Sequence, residues 1–266
     1  MMNSNKMQKA LLFNMKHQYS ERFQNILADP SNDKIERVEN AGQVIGDYVV
    51  MCNGLKVKKN SYYGKFSDIL VINRGVHEHS EEYVFYETIK SLKKENPVMV
   101  ELGSYWAYYS MCFMKENPNG KCYMIEEMDP YMWVGQDHFK VNGFEGKFIG
   151  GRVCDYGIKI DDFVKKQEIS KIDILLSDIQ GSELEMLNGT KQSLENKIVD
   201  YFFISTHSQK LHIDCTKILL DYDYQIMASA DFDNETFCHD GILIACSPDV
   251  ELIKYNLGNR KELMSK

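Results

Sequence analysis

The stretch that decides the fold runs from Ile172 to Glu183 and reads IDILLSDIQGSE. Its first half is a short, almost continuous apolar run, which is typical of a strand buried on both faces of a parallel sheet. Asp178 ends the run, and Gly181 lets the backbone turn before a segment that carries Glu183 and Glu185. The pattern predicts a strand, a loop and a helix, with Asp178 at the carboxyl end of the strand.

Similar apolar runs lie on both sides of this stretch and alternate with helical segments. This alternation predicts an α/β fold with right-handed crossovers and a mostly parallel, Rossmann-like sheet of seven strands. The last two strands are joined by a polar segment too short for a crossover helix, so we expect an antiparallel hairpin at one end of the sheet. The predicted strands are Val98–Leu102, Lys121–Ile125, Lys147–Gly151, Ile172–Ser177, Val199–Ser205, Tyr224–Ala228 and Gly241–Cys246.

Residues 1–90 precede this pattern and predict a separate α+β extension. Apolar residues at helical spacing indicate an amphipathic helix from about Lys6 to Asp29, and a second helix from Ser80 through Ile89. Two short apolar runs, Tyr48–Met51 and Ile69–Ile72, resemble strands. We therefore divide the chain into an extension, 1–90, and an α/β domain, 91–266. We expect the extension to form a lid and one wall of the substrate site, because the sheet's loops are too short to exclude water.

The composition limits the classes of function. A formal net charge of −8 and a pI near 5.4 argue against a nucleic-acid partner. The seven cysteines are scattered, with no C-x-x-C pair, as expected of reduced thiols in the cytosol. No apolar stretch approaches the ~20 residues of a membrane span, and no signal sequence is evident. The sequence predicts a cytoplasmic protein without a membrane span, and it indicates no oligomeric state.

The loop after the first sheet strand, Glu101–Ser110, is a candidate ligand loop, since ligands of open α/β sheets bind beyond the carboxyl ends of the strands. Gly103 would let the backbone approach a ligand, and Glu101 would present a carboxylate to a cation, while Ser104 or Ser110 would assist the helix start. The loop lacks G-x-G-x-x-G, and its acid would repel a pyrophosphate, so an ammonium or sulfonium ligand fits better than NAD. The alternative is a plain strand-to-helix turn.

Three further side chains end predicted strands. Glu126 follows the second strand, where a carboxylate can bind both hydroxyls of a ribose. Asp178 lies at the centre of the carboxyl edge, and His207 ends the fifth strand, where an imidazole could accept the proton of an attacking hydroxyl. Each has a structural alternative: a solvated loop acid, a helix cap and a structural histidine, respectively.

The ordered series from Tyr83 to Ser247 resembles the FkbM-type family of S-adenosylmethionine-dependent methyltransferases. In that family an acidic-x-Gly loop follows the first strand and a Glu follows the second. An Asp-x-Glu-Gly-x-Glu segment ends the fourth strand, a His follows the fifth, and an Asp-Gly begins the last. The corresponding residues here are Glu101-Leu102-Gly103, Glu126, Asn142-Gly143 before the third strand, Asp178 through Glu183, His207 and Asp240-Gly241.

The resemblance implies an S-adenosylmethionine-dependent O-methyltransferase that acts on a hydroxyl of a small-molecule or glycan acceptor, most simply a sugar. His207 would take the hydroxyl proton while Asp178 orients it. A divalent metal on Asp178 could lower the pKa of the hydroxyl instead, but Thr206-His207-Ser208 offers no second acid, so we favour catalysis without a metal. The predicted cofactor contacts are Glu101, Gly103, Tyr105, Ser110, Glu126, Glu127, Val153, Cys154 and Asp178.

Three positions depart from the family pattern. Ala107 stands where a second glycine is usual, Gln180 replaces a glutamate of the signature, and Ser177 replaces a lysine. Two alternatives follow: a protein that binds S-adenosylmethionine without catalysis, or a methyltransferase that acts on a nitrogen or carboxyl group of a metabolite or peptide.

Overall fold

The computed structural model describes residues 17–233 and 236–258. The chain forms two compact units. One contains the described residues up to Glu87 together with Phe237–His239, and the other contains Thr88–Thr236 and the described residues from Asp240 onward. The predicted function of residues 1–90 as a lid stays a prediction.

The first unit contains a small antiparallel sheet in the order β1-β2-β3. The predicted strand at Tyr48 and the helix from Ser80 are confirmed, whereas the part of the N-terminal helix before His17 lies outside the described residues. The elements are α1 (His17–Ala28), β1 (Val44–Ile45), β2 (Tyr48–Val50), β3 (Lys56–Lys58), α2 (Asp68–Ile72) and α3 (His79–Ser91), which continues past Glu87.

The prediction of a strand over Ile69–Ile72 is wrong, because these residues form helix α2. The backbone N–H of Asn73 donates to the carbonyl of Ile69 at 2.8 Å, closing a helical turn. Asp68 lies in the first turn, where a negative charge favours the helix dipole. An apolar run this short does not distinguish a buried strand from a buried helical turn.

The second unit contains the predicted seven-stranded sheet, in the order β6-β5-β4-β7-β8-β10-β9. Strands β4 to β8 pair in parallel, and β10 pairs antiparallel with both β8 and β9, which confirms the terminal hairpin. The elements are β4 (Val98–Leu102), α4 (Tyr108–Glu116), β5 (Lys121–Glu126), α5 (Asp129–Asn142), β6 (Lys147–Gly150), α6 (Ile160–Lys166), β7 (Ile172–Ser177), α7 (Glu183–Asn188), α8 (Lys191–Glu195), β8 (Val199–Thr206), α9 (Gln209–Asp221), β9 (Gln225–Ala230) and β10 (Gly241–Cys246).

Strand β7 lies at the centre of the sheet, and the loops at its carboxyl end are joined to those of the neighbouring strands. All six of its residues are buried, as the apolar run predicts for a strand covered on both faces. Beyond the strand ends, the N–H groups of Gly103 and Ser104 donate to the carbonyl of Ile125, and the N–H of Asp178 donates to the carbonyl of Leu102. These bonds bring the loops after β4, β5 and β7 together at one edge of the sheet.

Within the described part of the chain, no helix is long and apolar enough to cross a membrane.

Candidate active site

The loop after β4 has a strained backbone. Gly103, Tyr105 and Ala107 all adopt positive φ angles, of 69°, 45° and 57°. A Cβ on Gly103 would lie 1.9 Å from the carbonyl oxygen of Asp178, so only glycine fits there. Tyr105 and Ala107 each adopt the left-handed conformation at a cost of roughly 1–2 kcal/mol. Strain of this kind gathers at functional sites, where the surrounding structure enforces it.

Glu101 starts helix α4 instead of presenting an open carboxylate. It is buried, and its Oε2 accepts hydrogen bonds from the backbone N–H of Ser110, at 3.1 Å, and from the Ser110 hydroxyl. Burial raises the pKa of Glu101 to about 8, against the opposing hydrogen bonds from Ser110. Ala107 occupies the position before α4 without a side-chain cap, and Ser110 assists the helix start through its bonds to the Glu101 carboxyl group. Ser110 is fully buried and engaged with Glu101, so its predicted contact with the cofactor finds no support in this geometry.

The Glu126 carboxylate is buried and is oriented by two backbone N–H groups. It is 6% exposed, and its two oxygens accept hydrogen bonds from the N–H groups of Tyr105, at 2.9 Å, and Met128, at 2.8 Å. Each carboxylate oxygen can accept a further bond, so the group stays available to a diol. The neighbouring Glu127 differs, because its side chain is 53% exposed and lies 3.9 Å from Arg152. Glu127 is a solvated acid, and its predicted cofactor contact finds no support here.

The remaining predicted cofactor contacts fall into two groups. The ring of Tyr105 packs edge-on against Tyr131, with the centroids 4.5 Å apart, beside the Glu126 carboxylate. Val153 belongs to the hydrophobic core, and Cys154 is partly exposed. The structure thus gathers Gly103, Tyr105 and Glu126 around one strand edge, while Val153 faces the core.

A chain of charged side chains connects Asp178 to the interior. His207 Nδ1 lies 2.9 Å from Glu183 Oε1, and His207 Nε2 lies 3.2 Å from Asp178 Oδ1. Glu183 is fully buried and also accepts a hydrogen bond from the N–H of Gly181. Gln180 Nε2 donates to Asp178 Oδ1 at 2.8 Å, so the amide that replaces the family glutamate helps to hold Asp178.

The charge of His207 follows from these contacts. Burial alone would lower the pKa of His207, but the hydrogen bonds and charges of Asp178 and Glu183 outweigh it and raise the pKa to about 10. The imidazole therefore carries both ring protons at neutral pH, so that Nδ1 donates to Glu183 and Nε2 forms an ion pair with Asp178. This charge state argues against the predicted role of His207 as the proton acceptor, because a general base must be unprotonated.

Sequence reasoning missed two members of this cluster. The sequence assigns Glu183 to the signature segment and the following helix but gives no sign that it binds His207. Asp240 was seen only as the start of the last strand, yet its Oδ1 lies 4.0 Å from His207 Nε2. Strand β10 inserts beside β8 and aligns Gly241 with Thr206, which brings Asp240 to the end of the central strands. The Asp240-Gly241 pair is the sequence feature that could have indicated this contact. It does so only when the strand order, with β10 next to β8, is known.

The site can accommodate the implied cofactor. The Ser104 hydroxyl is buried and has no hydrogen-bond partner among the described residues, and Glu126 keeps open acceptor positions. Glu126, Asp178, Glu183 and Asp240 give this edge an excess of carboxylates, which suits a sulfonium or ammonium group. No group of three or more His, Cys, Asp or Glu side chains is arranged to hold a metal ion within residues 17–233 and 236–258.

One segment of the chain matches a known family. Residues 156–226 match the family described as Methyltransferase FkbM domain, which confirms the resemblance seen in the sequence. The match runs from the loop before α6 into β9 and includes Asp178, Glu183 and His207. This segment of the chain is thus similar to the methyltransferase domain of the FkbM family. No curated protein matches the chain significantly.

Solved structures with a similar fold are distant in sequence. TrmK of M. capricolum, in complex with S-adenosyl-homocysteine, is 16% identical, with a TM-score of 0.44 over 67% of this chain and 73% of that chain. The ribosomal protein L11 methylase of Lactobacillus delbrueckii subsp. bulgaricus is 11% identical, with a TM-score of 0.46 over 68% and 81%. The fibrillarin pre-rRNA processing protein of Methanococcus jannaschii is 17% identical, with a TM-score of 0.45 over 63% and 75%.

Proposed function

We propose that this protein transfers the methyl group of S-adenosylmethionine to a hydroxyl of a sugar or glycan, at the carboxyl edge of β4, β5, β7 and β8. The observation that carries the proposal is the chain from Glu183 through His207 to Asp178, since it holds a carboxylate at the strand edge where Gly103 touches Asp178. The net charge of −8 supports a small acceptor over a nucleic acid.

Residues of the first two loops hold the cofactor in this proposal. Glu126 binds the ribose hydroxyls, and the loop from Gly103 to Tyr105 lies against the donor, with the Ser104 hydroxyl available as a polar contact. When bound, S-adenosylmethionine supplies a methyl group activated by a positively charged sulfur. The residues at the edge hold the acceptor oxygen in line with it, which is the main task of such a catalyst.

Asp178 accepts the proton of the acceptor hydroxyl. The proton leaves the hydroxyl oxygen for a carboxylate oxygen as that hydroxyl oxygen becomes the nucleophile. His207 keeps its proton and forms an ion pair with Asp178, which holds the carboxylate in place. Glu183 is a positioning residue, because it binds the other ring nitrogen and holds the imidazole in place. The roles of Asp178 and His207 are thereby exchanged relative to the expectation from sequence.

The excess of carboxylates favours an oxygen acceptor over an amine. Near Asp178, Glu183 and Asp240, an amine would be stabilised as its ammonium ion, whose lone pair is bound to a proton and cannot attack. A hydroxyl is neutral, and it needs an acceptor for its proton, which Asp178 supplies.

The test uses S-adenosylmethionine carrying an isotope-labelled methyl group and a panel of methyl glycosides, primary amines and short peptides. We expect the label on a sugar oxygen, identified by NMR, and no label on nitrogen. The Asp178→Asn variant, with binding of S-adenosyl-homocysteine measured in parallel, should bind the product and fail to transfer. Label on nitrogen or carboxyl groups, or binding of the cofactor product without transfer to any acceptor, would contradict the proposal.

A further inference from the structure

Phe232 is an exposed aromatic residue in the connection between β9 and β10. Its side chain is 38% exposed, and its ring lies over the start of β10: a Cβ on Gly241 would be 2.9 Å from the Phe232 Cε2 atom. Gly241 is aligned with Thr206, the residue before His207. The absence of a side chain at Gly241 therefore lets the ring lie against the start of β10, where Gly241 pairs with Thr206.

The backbone beneath this ring is held in place. The N–H of Phe232 donates to Gln209 Oε1 at 2.9 Å, and Gln209 Nε2 donates to Asp231 Oδ2 at 3.3 Å. Gln209 is the first residue of helix α9, so the segment is fastened to a regular element. An exposed ring on such a support is preorganised for contact, and it binds a ligand at a low entropic cost.

Below the ring, the strand ends are connected through a buried imidazole. His212 Nδ1 lies 2.9 Å from Thr206 Oγ1, and His212 Nε2 lies 2.8 Å from Ser229 Oγ. Burial lowers the pKa of His212, so this residue is neutral and joins β8 to β9 by hydrogen bonds. The platform that carries Phe232 is thus fixed to both strands.

We propose that Phe232 and Asp240 form the acceptor subsite, with the ring of Phe232 as a platform for the C–H face of a sugar and Asp240 as the acceptor of a neighbouring hydroxyl. This inference rests on the proposed function. A sugar has an apolar face and hydroxyls at its edge. The ring of Phe232 lies against Gly241 and Asp240 directly precedes Gly241, so an aromatic surface and a carboxylate occur at the same end of β10. Asp178 and Asp240 both approach His207 Nε2, at 3.2 and 4.0 Å, so two hydroxyls of one ring can meet two carboxylates.

The kinetic experiment compares wild type with Phe232→Ala and Phe232→Tyr, using the methyl glycoside that is methylated best. Loss of the ring should raise KM for the glycoside about 3- to 10-fold and leave kcat and the Kd of S-adenosyl-homocysteine unchanged, since stacking on an aromatic ring contributes on that scale. Tyr at this position retains the ring and should restore KM. Leu220→Ala, which removes another half-exposed apolar side chain from the end of α9, should leave KM unchanged and serves as the matched control.

A binding arm separates this proposal from the proposed function. Saturation-transfer NMR on protein loaded with S-adenosyl-homocysteine should show one face of a methyl glycoside in contact with wild type, and a loss of that contact in Phe232→Ala. Glycoside methylation with an unchanged KM in Phe232→Ala would overturn the subsite alone. Glycoside binding that depends on Phe232, without methyl transfer, would overturn the proposed function alone. Binding of a flat aromatic diol in place of any glycoside would overturn the sugar assignment.

Discussion

The amino and carboxyl ends of β7 and β8 differ in how the charges of their buried carboxylates are balanced. At the amino ends of β7 and β8, the buried carboxylates Asp173 and Asp200 share Lys94, whose Nζ lies 2.5 and 2.8 Å from them, and Lys171 adds a contact of 2.7 Å to Asp200. Asp173 also accepts the N–H of Val98 at the start of β4. The charges of the two acids are balanced by those of the two lysines.

The carboxyl ends of the same strands are unbalanced. Among the described residues, Asp178 and Glu183 share one imidazolium, and Glu126 accepts hydrogen bonds from two backbone N–H groups. Unbalanced carboxylates at a strand edge cost free energy unless a ligand or a reaction makes use of them. With the proposed function, this difference assigns stability to the amino end and binding and catalysis to the carboxyl end.

Substituting one aspartate at each end of β7 gives the strongest test of the difference between the two ends. Asp178→Asn should lower kcat roughly 10²- to 10⁴-fold, because the acceptor proton loses its base. Asp173→Asn, the matched change at the other end of β7, should lower the stability and leave kcat of the folded enzyme unchanged. Methyl-transfer kinetics and denaturant unfolding on both variants provide the measurement. Equal losses of kcat would remove the distinction between the two ends.

The pH dependence of kcat sharpens the assignment of the proton acceptor. His207, whose pKa is raised to about 10, stays protonated at lower pH. With Asp178 as the acceptor, kcat should stay level from about pH 7 to about pH 9 and fall as His207 loses its proton above that range. A neutral His207 acting as the base would instead make kcat rise about tenfold per pH unit over the same range. Steady-state rates at saturating substrates distinguish the two profiles.

Two neighbouring glutamates test the cofactor side of the carboxyl end. Glu126→Ala should weaken binding of S-adenosyl-homocysteine about 10- to 100-fold, since a charge-assisted contact to the ribose is lost. Glu127→Ala removes an exposed carboxylate one residue away and should leave the affinity unchanged. Calorimetric titration of both variants gives the comparison. If the two substitutions had the same effect, Glu126 would not be the ribose ligand.

Lys94 tests the balance at the amino end, with a smaller effect. Lys94→Met should lower the free energy of unfolding by about 1–2 kcal/mol, because Asp173 and Asp200 lose a shared cation, and the 44% exposure of Lys94 lets water screen part of the loss. Lys210→Met breaks an exposed pair with Asp214 and should cost less than about 0.5 kcal/mol. Denaturant unfolding of the two variants tests the difference, and equal costs would contradict a special role for Lys94.

The sheet could be predicted from sequence because its strands are short apolar runs bounded by turns. Runs such as Ile172–Ser177 have few other ways to bury their side chains. The run over Ile69–Ile72 was misassigned, because four apolar residues fit a helical turn equally well. The strand ends then placed Glu126, Asp178 and His207 at one edge, because the carboxyl ends of parallel strands meet there.

The chemistry of the site depended on contacts that sequence spacing does not reveal. His207 is 24 residues from Glu183 and 29 from Asp178, and its charge depends on its contacts with both. Glu101 and Ser110 pair across a strained loop, which turned a predicted ligand contact into a helix start. Asp240 reached the site because β10 inserts beside β8, a pairing that local patterns do not encode.

A crystal structure of the protein with S-adenosyl-homocysteine and a methyl glycoside tests the central claim most directly. We predict the ribose hydroxyls on Glu126, the sulfur directed toward Asp178, and a glycoside hydroxyl within hydrogen-bond distance of the Asp178 carboxylate. Ligands bound away from the carboxyl ends of β4, β5 and β7, or a glycoside hydroxyl directed at another base, would contradict the assignment of this edge as the catalytic one.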